Sequence, residues 1–216
     1  MSAILFDLDE IHGSLKAFQV AFPGINDTLD MRREEVTDDM VGKIVQAYGF
    51  LNQQLSKGID LFTPAGLHSL LEMNHIVLCG VDPDLRLEYY QHLMETRTRF
   101  LRGIKPIKEW VLAKRKSEGP WKLAAGFYAK SLSQPQLFLE GNHRTGNILL
   151  NYLLVSRGES PYVVSPETAR DYLNISGDIK FTDKDKSLDN ALRMPGHLKR
   201  FRTFLKEHVD SRWLAG

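Results

Sequence analysis

Residues 136–147 read Gln-Leu-Phe-Leu-Glu-Gly-Asn-His-Arg-Thr-Gly-Asn, and their types and spacing point to anion chemistry. A Gly-Asn-X-Arg turn running into a helix presents backbone N–H groups that have no partner within the helix. They lie at the positive end of its dipole, so a phosphate placed there accepts several hydrogen bonds at once. Gly141 lets backbone approach closely, Asn142 and His143 carry the turn into the helix, and Arg144 adds a planar charged fork. Glu140, just ahead, offers the hard carboxylate oxygen that a Mg2+ ion bridging phosphate oxygens takes as a ligand.

The elements that must hold this turn read as helices. Val41, Ile44, Val45, Tyr48, Leu51 and Leu55 recur at three- and four-residue steps, and Lys57-Gly58 ends that stripe. Thr63-Pro64 reads as N-cap and first position of a helix carrying Leu67, Leu70 and Leu71. Asp82-Pro83-Asp84 opens another, which Gly103 breaks before it resumes over 104–114, and the Lys114-Arg115-Lys116 run is its solvated end. A helix over 121–133 is closed by Gln134-Pro135, which launches the loop. The next helix is apolar nearly all round, at Ile148, Leu149, Leu150, Leu153, Leu154 and Val155, the composition of a helix enclosed by others. Pro166 starts a further helix to Tyr172, 175–189 reads as a polar exposed stretch, and 197–213 as a final amphipathic helix. The chain is thus read as all-α: an N-terminal arm over 1–35 and a helical domain over 36–216.

Taken together, Phe138, Glu140-Gly141-Asn142, Arg144-Thr145-Gly146 and the apolar run from Ile148 to Leu154 resemble the signature of the Fic/Doc (Fido) family. That signature is His-X-Phe-X-(Asp/Glu)-Gly-Asn-Gly-Arg-X-X-Arg, followed by an apolar helix and a Gly-X-Pro-Pro-like turn, here Gly158-Glu159-Ser160-Pro161. A looser likeness spans 40–175, including Leu67-His68-Ser69-Leu70-Leu71, where His68 reads as a packed structural residue. The resemblance implies a Fic-like helical domain and a Mg2+-bound nucleoside triphosphate such as ATP as co-substrate. It also implies transfer of AMP, or another nucleotidyl or phosphoryl group, to a hydroxyl on a target protein. A small β-hairpin that docks the target backbone accompanies the site in the family, and 74–81 is the short apolar run available for it. Phosphate binding falls to Gly141, Asn142, His143, Arg144 and Asn147, the metal to Glu140, and Phe138 is a core anchor.

Three positions depart from the signature: Gln136 replaces the motif histidine, His143 the second glycine, and Asn147 the second arginine. The family histidine takes the proton from the attacking hydroxyl; a carboxamide orients a hydroxyl without removing its proton. Losing a general base costs roughly a hundredfold to ten-thousandfold in rate. His143 is the candidate replacement base, its alternative roles being a phosphate ligand or a solvent-facing ring. The family's final arginine grips the far phosphate, and an inhibitory Ser/Thr-X-X-X-Glu-(Gly/Asn) helix can block it; neither is found here. The Doc branch, which is kinase-like, also has a larger basic residue at the second glycine and lacks the second arginine, but it keeps the histidine. A non-enzymatic alternative is therefore a Fic-fold regulator that binds a nucleotide or phosphate and transfers nothing.

Over 216 residues, 28 Lys and Arg balance 27 Asp and Glu, which gives no electrostatic reason to expect nucleic acid or an anionic membrane as partner. The single cysteine, Cys79, excludes an internal disulfide and sits among apolar residues as a buried thiol. No apolar run is long enough to span a bilayer, and Asp7, Asp9 and Glu10 stand where a secretory signal carries positive charge, so a cytoplasmic location is expected. A competing motif, residues 3–11, resembles the haloacid-dehalogenase opening, an apolar strand followed by Asp-X-Asp, with Asp7 as nucleophile of a phosphohydrolase. The chain beyond it lacks the alternating strand and helix pattern of that fold.

Overall fold

The computed structural model describes residues 4–215. Nine α-helices are seen among them: α1 (Leu8–Asn26), α2 (Asp38–Ser56), α3 (Pro64–Cys79), α4 (Pro83–Glu88), α5 (Tyr90–Lys114), α6 (Pro120–Leu132), α7 (Asn142–Val155), α8 (Pro166–Phe181) and α9 (Ser187–His208). The all-α class holds, and β pairing among the described residues is limited to two isolated bridges, Phe6 with Leu214 and Gln134 with Asp183.

At the N-terminus the structure corrects the expectation of an arm over 1–35. The Asp7 carboxylate accepts the N–H groups of Asp9 and Glu10 at 3.0 Å each, so α1 starts with a built cap. Ile11, Leu15, Phe18 and Phe22 then bury one stripe. Phe6, Ile11 and Leu15 belong to the same core as the central helices. This also disposes of the phosphohydrolase reading: the required parallel sheet is absent among the described residues, and the carboxylate of Asp7 is engaged in capping a helix.

The hairpin expected over 74–81 is helix instead. Thr63 caps α3 by accepting the Gly66 N–H, and Asn74, Ile76, Val77, Leu78 and Cys79 are buried in its last turns. Gly80, at φ +70°, ends the helix. An apolar run this short reads equally as strand or buried helix, and burial on several sides decides for the helix. His68, on the same helix, is exposed rather than packed.

α5 runs unbroken through Gly103 and Pro106. Gly103 marks a close approach, since a Cβ there would lie 3.3 Å from Leu137 Cδ1 of the motif loop. α9 starts at Ser187, ahead of the expected 197, because its first half is largely outside the core. Leu188 and Leu192 are exposed, whereas Phe201, Phe204 and Leu205 are buried. The helix ends at His208, and Ser211–Trp213 is a 3-10 turn.

α7 is enclosed by α2, α3 and α6 and buried at nearly every position. Small residues let its neighbours close in: a Cβ on Gly146 would lie 3.2 Å from Tyr128 of α6. On α6 itself, a Cβ on Gly126 would lie 2.4 Å from Trp110 Cη2 of α5. Gly126→Ala should therefore overpack the α5–α6 seam and cost about 1–3 kcal/mol. A urea melt should show a lower midpoint at unchanged slope; an unchanged midpoint would mean the seam yields freely.

Candidate functional site

The loop between α6 and α7 is tied at every stage. Leu137 N–H donates to Ser131 O at 2.9 Å, and Phe138 is buried against Phe100, ring centroids 5.6 Å apart at 3°. The Asn142 side chain then pairs with both backbone groups of Phe138: Oδ1 accepts its N–H and Nδ2 donates to its carbonyl, each at 2.9 Å. From α3, Asn74 Nδ2 donates to Glu140 O and Thr145 Oγ1, both at 3.0 Å.

Gly141 turns the chain into α7 with φ +71° and ψ 9°, a left-handed conformation that disfavours any residue with a Cβ. A Cβ there would also meet Asn74 Nδ2 at 3.0 Å and Val77 Cγ1 at 3.3 Å, so the close approach that glycine permits is to α3. No side chain caps α7, which leaves the N–H groups of its first turn without intrahelical acceptors.

Residues 140–144 are thus brought together, each in a different setting. Arg144 is half-buried and donates from Nη1 to Val77 O at 3.3 Å. The Glu140 carboxylate is exposed, with His92 Nε2 3.7 Å away. Among the described residues no three His, Cys, Asp or Glu side chains group as a metal site. A Mg2+ ion at Glu140 would draw its other ligands from phosphate and water, its usual manner of binding.

His143 Nδ1 lies 3.4 Å from the Tyr128 hydroxyl, itself 2.9 Å from the Tyr172 hydroxyl, while Nε2 is closed off from solvent with no partner. Burial, then the charges of Arg33, Lys180 and Arg144, push the imidazole pKa down to about 3. In the free protein His143 is therefore a neutral, weak base, ill suited to replace the motif histidine.

Asn147 and Gln136 lie elsewhere. Asn147 Oδ1 accepts from the Tyr48 hydroxyl at 3.3 Å and its Nδ2 donates to Tyr162 O at 3.4 Å, so its amide is occupied between α2 and the segment after α7. Gln136 is half-buried and lines a groove of about 1300 Å³ between α5, α6 and α9, shared with Arg99, Trp110, Lys130, Lys184 and Met194. Residues 140–144 and 147 do not line that groove. Lys184, read from sequence as part of an exposed charged patch, instead braces the loop. Its Nζ donates to Lys130 O and Pro135 O at 2.7 Å each, and burial pushes its pKa down to about 8.

Asn74, hidden in an apolar run, escapes sequence reasoning, as do Arg33 and Lys180, whose charges bear on His143 from mixed-charge stretches far along the chain. No local signal marks them. Compared with family models, curated proteins and solved structures, the chain matches none, so the Fic/Doc resemblance rests on the motif residues themselves.

Replacing Asn142 with Ala strands the buried N–H and carbonyl of Phe138, and should destabilise the fold by about 2–4 kcal/mol in chemical denaturation. A loss of a few tenths would show that the clamp is dispensable. His143 yields a second expectation. The unfolded chain takes up a proton near pH 6.5 that the fold refuses until about pH 3, so stability is independent of this group above that window and falls as the pH drops through it. Between about pH 6 and pH 4 the wild type should lose stability more steeply than His143→Gln, by up to roughly 1.4 kcal/mol per pH unit. Equal slopes would place the imidazole in a wetter environment.

Proposed function

We propose that this chain is a Fic-like nucleotide-binding domain whose α7 N-terminus holds the phosphates of a Mg2+-nucleotide. The observation that carries the reading is a rigid left-handed turn at Gly141, entering an uncapped and deeply buried helix, with the Arg144 guanidinium beside it. First-turn N–H groups, helix dipole and guanidinium all favour the same kind of ligand, a compact oxyanion. The Glu140 carboxylate, exposed and immediately ahead of Gly141, would be the protein's ligand to a cation shared with that ligand.

Binding is better supported than transfer. Gln136 cannot remove a proton, His143 is too weakly basic in the free protein, and Gln136 lines a groove that residues 140–144 do not line. A binding or regulatory domain is therefore the leading reading. AMP or phosphoryl transfer to a protein hydroxyl is the activity implied by the motif and is slow at best in the native chain. No helix among the described residues is long and apolar enough to cross a membrane.

Isothermal titration with Mg-ATP and the other nucleoside triphosphates should show saturable binding by at least one, weakened about tenfold or more in Arg144→Ala. Absence of saturable binding by any of them would overturn the reading. Transfer is tested separately with Gln136→His. If the scaffold retains latent chemistry, labelling of protein hydroxyls by the nucleotide should rise about a hundredfold or more. Labelling absent from both proteins would confine the domain to binding.

A further inference from the structure

We propose that the groove between α5, α6 and α9 binds an amphiphile with a single anionic head, a long-chain carboxylate, whose head is held by Arg99 and Lys130 and whose chain lies on the apolar lining. The site stands apart from the turn at Gly141, since residues 140–144 do not line it.

α5 and α9 both pack on α6, which is the floor between them. The α6 residues in the lining include Gly126, Ala129 and Ser133, at three- and four-residue steps, so the floor is a stripe of small residues below two helical walls. On α5 the lining runs from Gln91 to Trp110, about 28 Å at the helical rise per residue. With a volume of about 1300 Å³ this is a furrow that a chain fills along its length. Pro106 and Ile107 on one wall and Met194 and Leu198 on the other make its sides apolar.

Its charge is one-sided. Arg99, Arg102, Lys130 and Lys184 line the groove against two carboxylates, Glu95 and Asp185, both exposed. Among the described residues no carboxylate oxygen lies within 4.0 Å of any of these four cations. Lys184 Nζ donates to the carbonyls of Lys130 and Pro135 at 2.7 Å each and of Ser133 at 3.4 Å, so its protons are taken up by backbone. Arg99 Nε donates to the next carbonyl, Gln136 O, at 2.9 Å, which fixes the side chain and leaves its terminal nitrogens without a protein partner among the described residues. Lys130 Nζ lies 5.2 Å from the centroid of the Trp110 ring and makes no hydrogen bond there. Burial lowers its pKa, the mark of an ammonium partly stripped of water that gains from a counter-ion. A concave apolar surface with a few convergent polar groups is the usual form of a small-molecule site, and here those groups that are free are cationic donors. Apolar length and unneutralised positive charge together select an anionic amphiphile over a neutral or cationic one.

The test is isothermal titration of the full chain with dodecanoate, decanoate and decanol, each below its micellar or solubility limit. Dodecanoate should bind saturably and about fourfold or more tighter than decanoate, because further methylenes are buried. Decanoate should bind about fivefold or more tighter than decanol, which lacks the charge. Arg99→Gln and Lys130→Gln should each weaken dodecanoate about fivefold or more and change decanol less than about twofold. Pro106→Glu sets a like charge on an exposed part of the wall and should weaken dodecanoate about tenfold.

No saturable binding of dodecanoate, decanol binding as tightly as decanoate, or wild-type dodecanoate affinity in the variants would each overturn the proposal. So would binding to anionic lipid vesicles with none to the monomeric acid, which would mark a membrane surface instead. If Arg99→Gln unsettles the loop through its lost bond to Gln136, Lys130→Gln and Pro106→Glu decide, because neither residue's side chain hydrogen-bonds within the fold.

Discussion

The site depends on one clamp, the Asn142 carboxamide closed on both backbone groups of Phe138. Neither partner could hold the loop alone. Phe138 is fixed because its ring stacks on Phe100 in the core, and Asn142 is fixed because it opens a helix that cannot move without unpacking its neighbours. Between them lie only Leu139, Glu140 and Gly141, so once the two ends are joined the turn has one way to run. Asn74 removes the remaining freedom by holding the Glu140 carbonyl and the Thr145 hydroxyl from α3. The result is a set of helix N–H groups aimed by the core rather than by a flexible loop, which is the condition for an oxyanion site without an ordering cost on binding.

Charge follows from the same arrangement. Charged residues of the α1–α2 connection and α8, as well as of α7 itself, bear electrostatically on His143 in its first turn. Arg144, Arg33 and Lys180 all act on His143, whose buried ring is kept neutral partly for that reason. The features that favour an anion and those that weaken His143 as a base are the same features. Charges of the kind that would favour phosphate at this turn leave His143, in the free state, poorly suited to deprotonate a hydroxyl.

Gln136 stands apart from the turn in space. The Phe138 anchor lies between it and the turn along the chain, and the residue lines the groove of α5, α6 and α9. Its own carbonyl accepts from Arg99 at 2.9 Å, and Lys184 holds the carbonyl of the preceding Pro135.

Much was legible before any coordinates. The Thr63 and Asp82 caps, the stripe of α2, the all-round apolarity of α7, the buried Cys79 and the Phe138 anchor are local signals, written in spacing and residue type. The Gly-Asn-X-Arg turn was legible too, because αL glycine followed by an uncapped helix is encoded by adjacent residues. What lay beyond reach was every relation between distant segments. Residues 74–79 form helix because neighbours surround them, the glycine at 103 inside α5 gives Leu137 its space, and α1 packs because its apolar stripe meets α2 and α8. The same holds for the candidate site: local sequence specified a left-handed glycine turn into an uncapped helix, whereas only the tertiary fold could tie Asn74 to it, occupy the Asn147 amide and close off His143 Nε2. Those depend on which surfaces meet, and no spacing along one chain states that.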